Sequence, residues 1–342
     1  MKKKVFWAVA FVIIAALSIW AVTSQNKAFS FKSFTEYVRN ANPYYMTAAV
    51  LSAAGYIFFE GAAILVLLKG FGYKRTNAQG TLYSAADIYF SAITPSATGG
   101  QPASAYFMVK DGVPSATTTV VLLLNLIMYT TSLMVVGVVA AIFGFGIFAH
   151  LSVLSKVCVI IGLVVQIILT LVFVLLLRSR RITEKIGIVL LRFLKKIHLI
   201  RNLNKRIEKL DRTMDEFQAC ADVIADKKSV LVKAFFINLA QRICNISVSA
   251  LVFLAGGGVI HDAGNIWLAQ SFVAIGANSV PIPGAMGITD YLMIDAFGQF
   301  MGDDVASQLE LLSRSLSFYI CILVCSITTL IGYIVVRKRG KK

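Results

Sequence analysis

The chain has 342 residues, 58% of them hydrophobic and only 15% charged, and its mean hydropathy is +0.77. A soluble domain of this length needs far more polar surface, so composition places the chain in a bilayer and argues against the soluble enzyme classes. The formal net charge of +16 does not call for nucleic acid, because the basic residues gather at the ends of apolar segments and in one loop, without a zinc motif or recognition helix.

In chain order, Met1-Lys2-Lys3-Lys4 precedes an apolar run at Val5–Val22. That run is longer than a signal-peptide core and no small-x-small cleavage site follows, so it reads as a retained first span. Further runs at Tyr44–Leu68, Val113–Phe143, Leu151–Leu177, Val230–Leu254 and Leu312–Val336 each approach or exceed the roughly 20 residues a helix needs to cross hydrocarbon. Two other apolar stretches, Tyr83–Val109 and Ile266–Phe297, are broken by Pro/Gly clusters at Thr94–Pro102 and Val280–Gly287. Backbone opened at membrane depth survives only where protein or a water-filled cavity surrounds it. A matched pair of interrupted segments is a pointer to a binding site between two transporter repeats.

Charge sets the expected topology. The connector from Arg178 to Arg212 holds twelve Lys and Arg against Glu184, Glu208 and Asp211, and the tail Arg337–Lys342 is also basic. The positive-inside rule puts both in the cytoplasm with the N-terminus. That count closes only if Tyr83–Val109 enters and returns on the cytoplasmic side. Ile266–Phe297 should then enter and return on the outer side, consistent with Ala255–Leu312 holding six acidic residues and no Lys or Arg. The expectation is one all-α polytopic domain over residues 1–342, with about six full spans and two opposed re-entrant hairpins in an inverted repeat. Within it, residues 178–228 form a basic cytoplasmic connector whose interleaved apolar and basic residues, Ile186 to Ile200, suit an amphipathic helix on the leaflet surface. A weaker internal echo supports the repeat: Lys110-Asp111-Gly112 leads into a segment containing Tyr129, and Gly302-Asp303-Asp304 into one containing Tyr319.

An ionisable group deep in a span costs at least roughly 2.5–3.5 kcal/mol, so it usually faces the bundle interior with a partner. Glu60, Arg242 and Arg314 meet that description. Arg242 and Arg314 are candidates to line a cavity, where a guanidinium grips phosphate with paired hydrogen bonds. Glu60 is a candidate for an intramembrane ion pair with Arg242 that only holds helices together. Both roles are open on sequence alone. At the breaks, Gly99, Gly100, Gly284 and Gly287 let backbone approach a ligand, while Thr98, Gln101, Thr289 and Asp290 supply polar side chains beside Pro283. A half-helix starting after each break would aim free N–H groups at an anion. His150, His198 and His261 are scattered, and Cys158, Cys220, Cys244, Cys321 and Cys325 lack metal or disulfide spacing, so no catalytic residue, metal or cofactor is expected.

Pro283-Gly284-Ala285-Met286-Gly287-Ile288-Thr289-Asp290, followed by Arg314 and Tyr319, resembles the Pro-Gly-Gly-x-Gly-x-x-Glu and later Arg pattern of the lysylphosphatidylglycerol synthase transmembrane-region family. Pro95-Ser96-Ala97-Thr98-Gly99-Gly100-Gln101-Pro102 is similar to the first-half motif of its Gram-positive members. Ala285 stands where the family usually has Gly, and Asp290 where it usually has Glu. The resemblance implies a lipid-binding, flippase-like region of the bacterial cytoplasmic membrane acting on an anionic or aminoacylated phospholipid. In fused members, the multiple peptide resistance factors, a separate cytoplasmic domain makes the lipid from aminoacyl-tRNA; no such domain is expected within this sequence. The alternatives are a phosphatidylglycerol lysyltransferase and a non-transporting membrane subunit. The expected partners are membrane phospholipids, a second copy of the chain or a separate lipid-synthesising enzyme, and not nucleic acid.

Overall fold

The structure is a computed structural model that describes residue 35 and residues 39–196, 203–278 and 280–339. The expected span Val5–Val22 and the end of the basic tail lie outside the described residues. Within them the chain is helical, with no strand. Helix α1 (Pro43–Gly70) is followed by α2 (Asn77–Ile93), a single turn at Pro95–Ala97, α3 (Gly100–Lys110), α4 (Ser115–Phe143), α5 (Phe145–His150) and α6 (Val153–Arg178). The connector is α7 (Arg180–Lys196) and α8 (Leu203–Ala225). Then come α9 (Lys228–Ala255), α10 (Ile260–Ala277), a turn at Pro283–Ala285, α11 (Ile288–Phe297), α12 (Asp303–Arg314), a π-helical turn at Ser315–Ile320 and α13 (Cys321–Arg339).

Local chemistry sets the helix ends. The Asn42 side chain accepts the Tyr44 N–H at 3.0 Å, and Pro43 occupies the first turn of α1, where its missing N–H costs nothing. Gly72 at φ +87° closes that helix. Thr76 and Gln79 cap each other at the start of α2.

Among the described residues, five helices are long and apolar enough to cross a membrane: Pro43–Gly70, Ser115–Phe143, Val153–Arg178, Lys228–Ala255 and the rod Asp303–Lys338. The first four match the expected runs closely. The last differs: a span was expected to begin at Leu312, but the helical rod starts nine residues earlier, at Asp303. Asp303 and Asp304 in the first turn favour the positive helix end, and Ala306, Leu309 and Leu312 bury one face. Arg314 is therefore the twelfth residue of that rod, and it is buried.

The two broken stretches fold alike. Helix α1 (28 residues) precedes a helix–break–helix pair of 17 and 11 residues. Helix α9 (28 residues) precedes another pair of 18 and 10. Among the described residues the most extensive helix partnership is α1 against α9, and the turns of the two breaks touch each other. Glycine permits the tight approach of the first pair: a Cβ on Gly61 would come 2.6 Å from the Gly80 carbonyl oxygen. At the second pair, a Cβ on Gly162 of α6 would come 2.2 Å from the Ile275 carbonyl oxygen. One apolar cluster surrounds the second pair and both tips. Another lies at the outer end of the first pair, where Met214, Phe217, Ala221 and Ile224 of α8 are buried. The later half of the connector is thus docked on the bundle.

Candidate functional site

The first tip holds itself open by internal bonds. The Thr94 hydroxyl donates to the Phe90 carbonyl at 2.6 Å and accepts the Gly99 N–H at 2.9 Å, while the Thr98 hydroxyl donates to the Pro95 carbonyl at 3.0 Å. Ser96 and Ala97 sit at φ +52° and +53°, a region that costs an L-residue about 1–2 kcal/mol and persists only where its surroundings hold it. The tip residues Pro95–Thr98 are exposed. Behind them the Gln101 amide meets buried Asp87 at 2.8 Å, and the Ser91 hydroxyl meets its other oxygen at 3.1 Å. A Cβ on Gly100 would fall 2.0 Å from both Asp87 Oδ1 and Ser91 Oγ, so only glycine lets α3 close over that carboxyl group.

Beneath the tip, α1, α4 and α9 share a buried polar chain. Asn238 Nδ2 donates to the Ala234 carbonyl at 3.0 Å and to Asn125 Oδ1 at 3.1 Å, which orients Asn125 so that its Nδ2 donates to Glu60 Oε1 at 2.6 Å. Gln241 donates to Glu60 Oε2, and its own Oε1 accepts two N–H groups of Arg242 at 2.9 and 3.1 Å. Glu60 and Arg242 are therefore linked through Gln241. The guanidinium lies 4.0 Å from the centre of the Tyr129 ring and 5.5 Å from that of Tyr56, cation–π contacts worth about 2 kcal/mol when desolvated. The Tyr129 hydroxyl donates across to Asn278 Oδ1 at 3.0 Å, and Asn278 Nδ2 donates to buried Gln166 at 3.1 Å. The stacked arginine of α9 thus reaches the start of the second break through one tyrosine.

The second tip has its own arginine. Arg314 Nε stands 3.0 Å from Asp290 Oδ1 and 4.0 Å from Glu310, and its guanidinium packs 4.8 Å from the Phe318 ring centre. Asp290 Oδ2 accepts the Gly287 N–H at 3.0 Å, fixing the start of α11. Gly284 (φ +60°) lies so close to Phe318 that a Cβ would sit 2.2 Å from the ring, and Thr289 turns back on the Ala285 carbonyl at 2.8 Å. The guanidinium also faces the Tyr319 ring, 5.8 Å from its centre.

The residues singled out from sequence thus fall into two neighbouring groups. Glu60, Arg242, Gln101 and the first tip belong to one; Pro283, Gly284, Gly287, Asp290 and Arg314 belong to the other. The touching break turns join them. Sequence reasoning overlooked Asp87, Asn125, Gln166 and Asn278. The signal for Asp87 was present, since it is an acid inside an apolar stretch, but amide partners carry no periodic mark.

This architecture defines a multi-pass, all-helical membrane protein with two broken helical hairpins meeting at their tips. Residues 7–325 match the model of the family described as "Lysylphosphatidylglycerol synthase TM region", and the chain belongs to that family. A search of curated proteins finds no match.

Proposed function

We propose that the chain is a flippase-like translocase that binds the headgroup of an anionic or aminoacylated phospholipid, such as lysylphosphatidylglycerol, where the two tips meet. In this reading the hairpins are re-entrant from opposite faces of the bacterial cytoplasmic membrane. They belong to an inverted repeat with six spans, Val5–Val22 included, and both termini are cytoplasmic. The observation that carries it is convergence on the second break. Arg314 reaches it through Asp290, and Arg242 through Tyr129 and Asn278. Arg314 beside an opened backbone suits a phosphodiester, with Arg242 linked to the same break through Tyr129, and the half-helices add their positive ends. Thr98, Gly99, Gly100 and Gln101 would complete the site from the first tip. Asp290, held by Arg314 in this structure, would meet the amine of an aminoacyl headgroup once phosphate takes over the guanidinium. The family description supports lysylphosphatidylglycerol as the first lipid to try.

The test is headgroup accessibility of labelled lysylphosphatidylglycerol and phosphatidylglycerol in liposomes holding the purified chain, with lysyl-tRNA in a parallel sample. Flipping that falls by tenfold or more in Arg242→Ala or Arg314→Ala, about 1.4 kcal/mol, is the expected result. New lysyl-lipid without flipping would replace this reading with a lysyltransferase. Neither signal would leave a binding subunit.

A further inference from the structure

The first group holds two buried carboxylates and one arginine, and the hydrogen bonds of the two carboxylates make them unlike. Glu60 is 5% exposed and Asp87 7%, and they are close enough for their charges to interact. Both Glu60 oxygens face amide N–H groups, and neither amide is free to turn. Asn125 is held by Asn238, and Gln241 by Arg242. Glu60 can only accept there, so it carries the charge that Arg242 balances through Gln241.

Asp87 has no such arrangement. The ionised neighbour facing it is Glu60 of α1. Helix α3 offers the neutral amide of Gln101, α2 itself offers Ser91, and the turns Pro95–Ala97 and Pro283–Ala285 contain no ionisable side chain. Helix α13, which also packs on α2, brings buried Cys325, and its Arg337 and Lys338 lie beyond Gly332, the residue that packs on Leu82. Among the described residues no lysine or arginine touches Asp87. An ionised Asp87 would add a second buried negative charge against a single guanidinium, at a cost of several kcal/mol. A proton removes that cost. Nothing among the described residues fixes which end of the Gln101 amide faces Asp87, so its oxygen can accept the proton at the same 2.8 Å separation.

We propose that Asp87 is a proton-binding site, loaded when α3 is closed over it and unloaded when Gln101 and the first tip move away, so that lipid movement is coupled to the proton gradient. The coupling rests on the translocase reading; the proton site does not. Release frees a carboxylate at the base of an exposed tip, where Gln101 is one of the side chains offered to a headgroup. The proton and the lipid would therefore compete for Gln101. Bound lipid would drive the proton off, and protonation would close the tip.

Infrared spectroscopy of the native chain in phosphatidylcholine nanodiscs, titrated through neutral pH, reads the proton through the carbonyl stretch of a protonated carboxyl group. Native protein should show a band at neutral pH that Asp87→Asn abolishes. Ser91→Ala, which keeps the carboxyl and removes one hydrogen-bond partner, should shift the same band, and it decides the matter if the asparagine variant fails to fold. Absence of the band, or a band indifferent to both substitutions, overturns the site. In liposomes, a gradient of one pH unit should shift the steady distribution of labelled lysylphosphatidylglycerol by up to about tenfold for one proton per lipid. It should leave Asp87→Asn unmoved. Flipping in the native chain that ignores the gradient overturns the coupling even if the band belongs to Asp87. No flipping at all removes the translocase reading while the infrared result still stands for the site.

Discussion

Glu60 shows how a buried charge is tolerated at the scale of one residue. Its two oxygens accept from amides whose orientation is set one bond further out, by Asn238 and Arg242. Replacing one oxygen by NH2 would aim a donor at a donor. Glu60→Gln should therefore lose about 1–3 kcal/mol in spite of its near-identical shape. The midpoint of thermal unfolding in detergent reads this directly, and an unchanged midpoint would mean that the amides turn freely. The ionisable residues at membrane depth were visible in the sequence because their cost depends only on depth. Their partners were not, because Glu60 meets residues 65 and 181 positions away in the chain.

At the scale of elements, each broken hairpin is a pair of half-helices closed by a turn, and the bonds across the break decide how firmly it is held. Tyr129 ties α4 to the second break with its hydroxyl and supports Arg242 with its ring. The two functions separate by mutation. Tyr129→Phe keeps the ring and loses one hydrogen bond of about 1 kcal/mol, so amide hydrogen exchange at residues 280–287 should quicken about fivefold. Tyr129→Ala loses the stacking as well and should also disturb α9 around Arg242. Equal exchange patterns in the two variants would show that the ring contributes nothing to holding the arginine. The positions of both breaks were legible because Pro and Gly interrupt a helix locally. The start of the last rod was not, since polar Asp303 to Glu310 hid a helical face that only packing reveals.

Across the whole molecule, the basic connector and the acid-rich stretch that follows α9 should lie on opposite sides of the membrane. Exposed Lys195 and Asp303 report the two sides. In intact cells, a membrane-impermeant thiol reagent should label Asp303→Cys and spare Lys195→Cys, after subtraction of the native chain's own labelling. In inside-out vesicles the pattern should reverse. Labelling of both from one side would mean that a broken hairpin crosses the bilayer fully, and the opposed re-entrant arrangement would fall with it.

Read alone, the amino-acid sequence already places the chain in a membrane and locates most of its long helices and the breaks in two of its apolar segments. Each of these is a local consequence of apolar length, of Pro and Gly, or of charge beside a span. It took the folded arrangement to show that the two breaks touch, that Glu60 reaches Arg242 through Gln241, and that Asp87 is closed under Gly100 with no lysine or arginine touching it among the described residues. Those contacts join segments far apart in the chain. They arise from the approach of α1 to α9 and from glycines small enough to let backbones meet, which no run of neighbouring residues records.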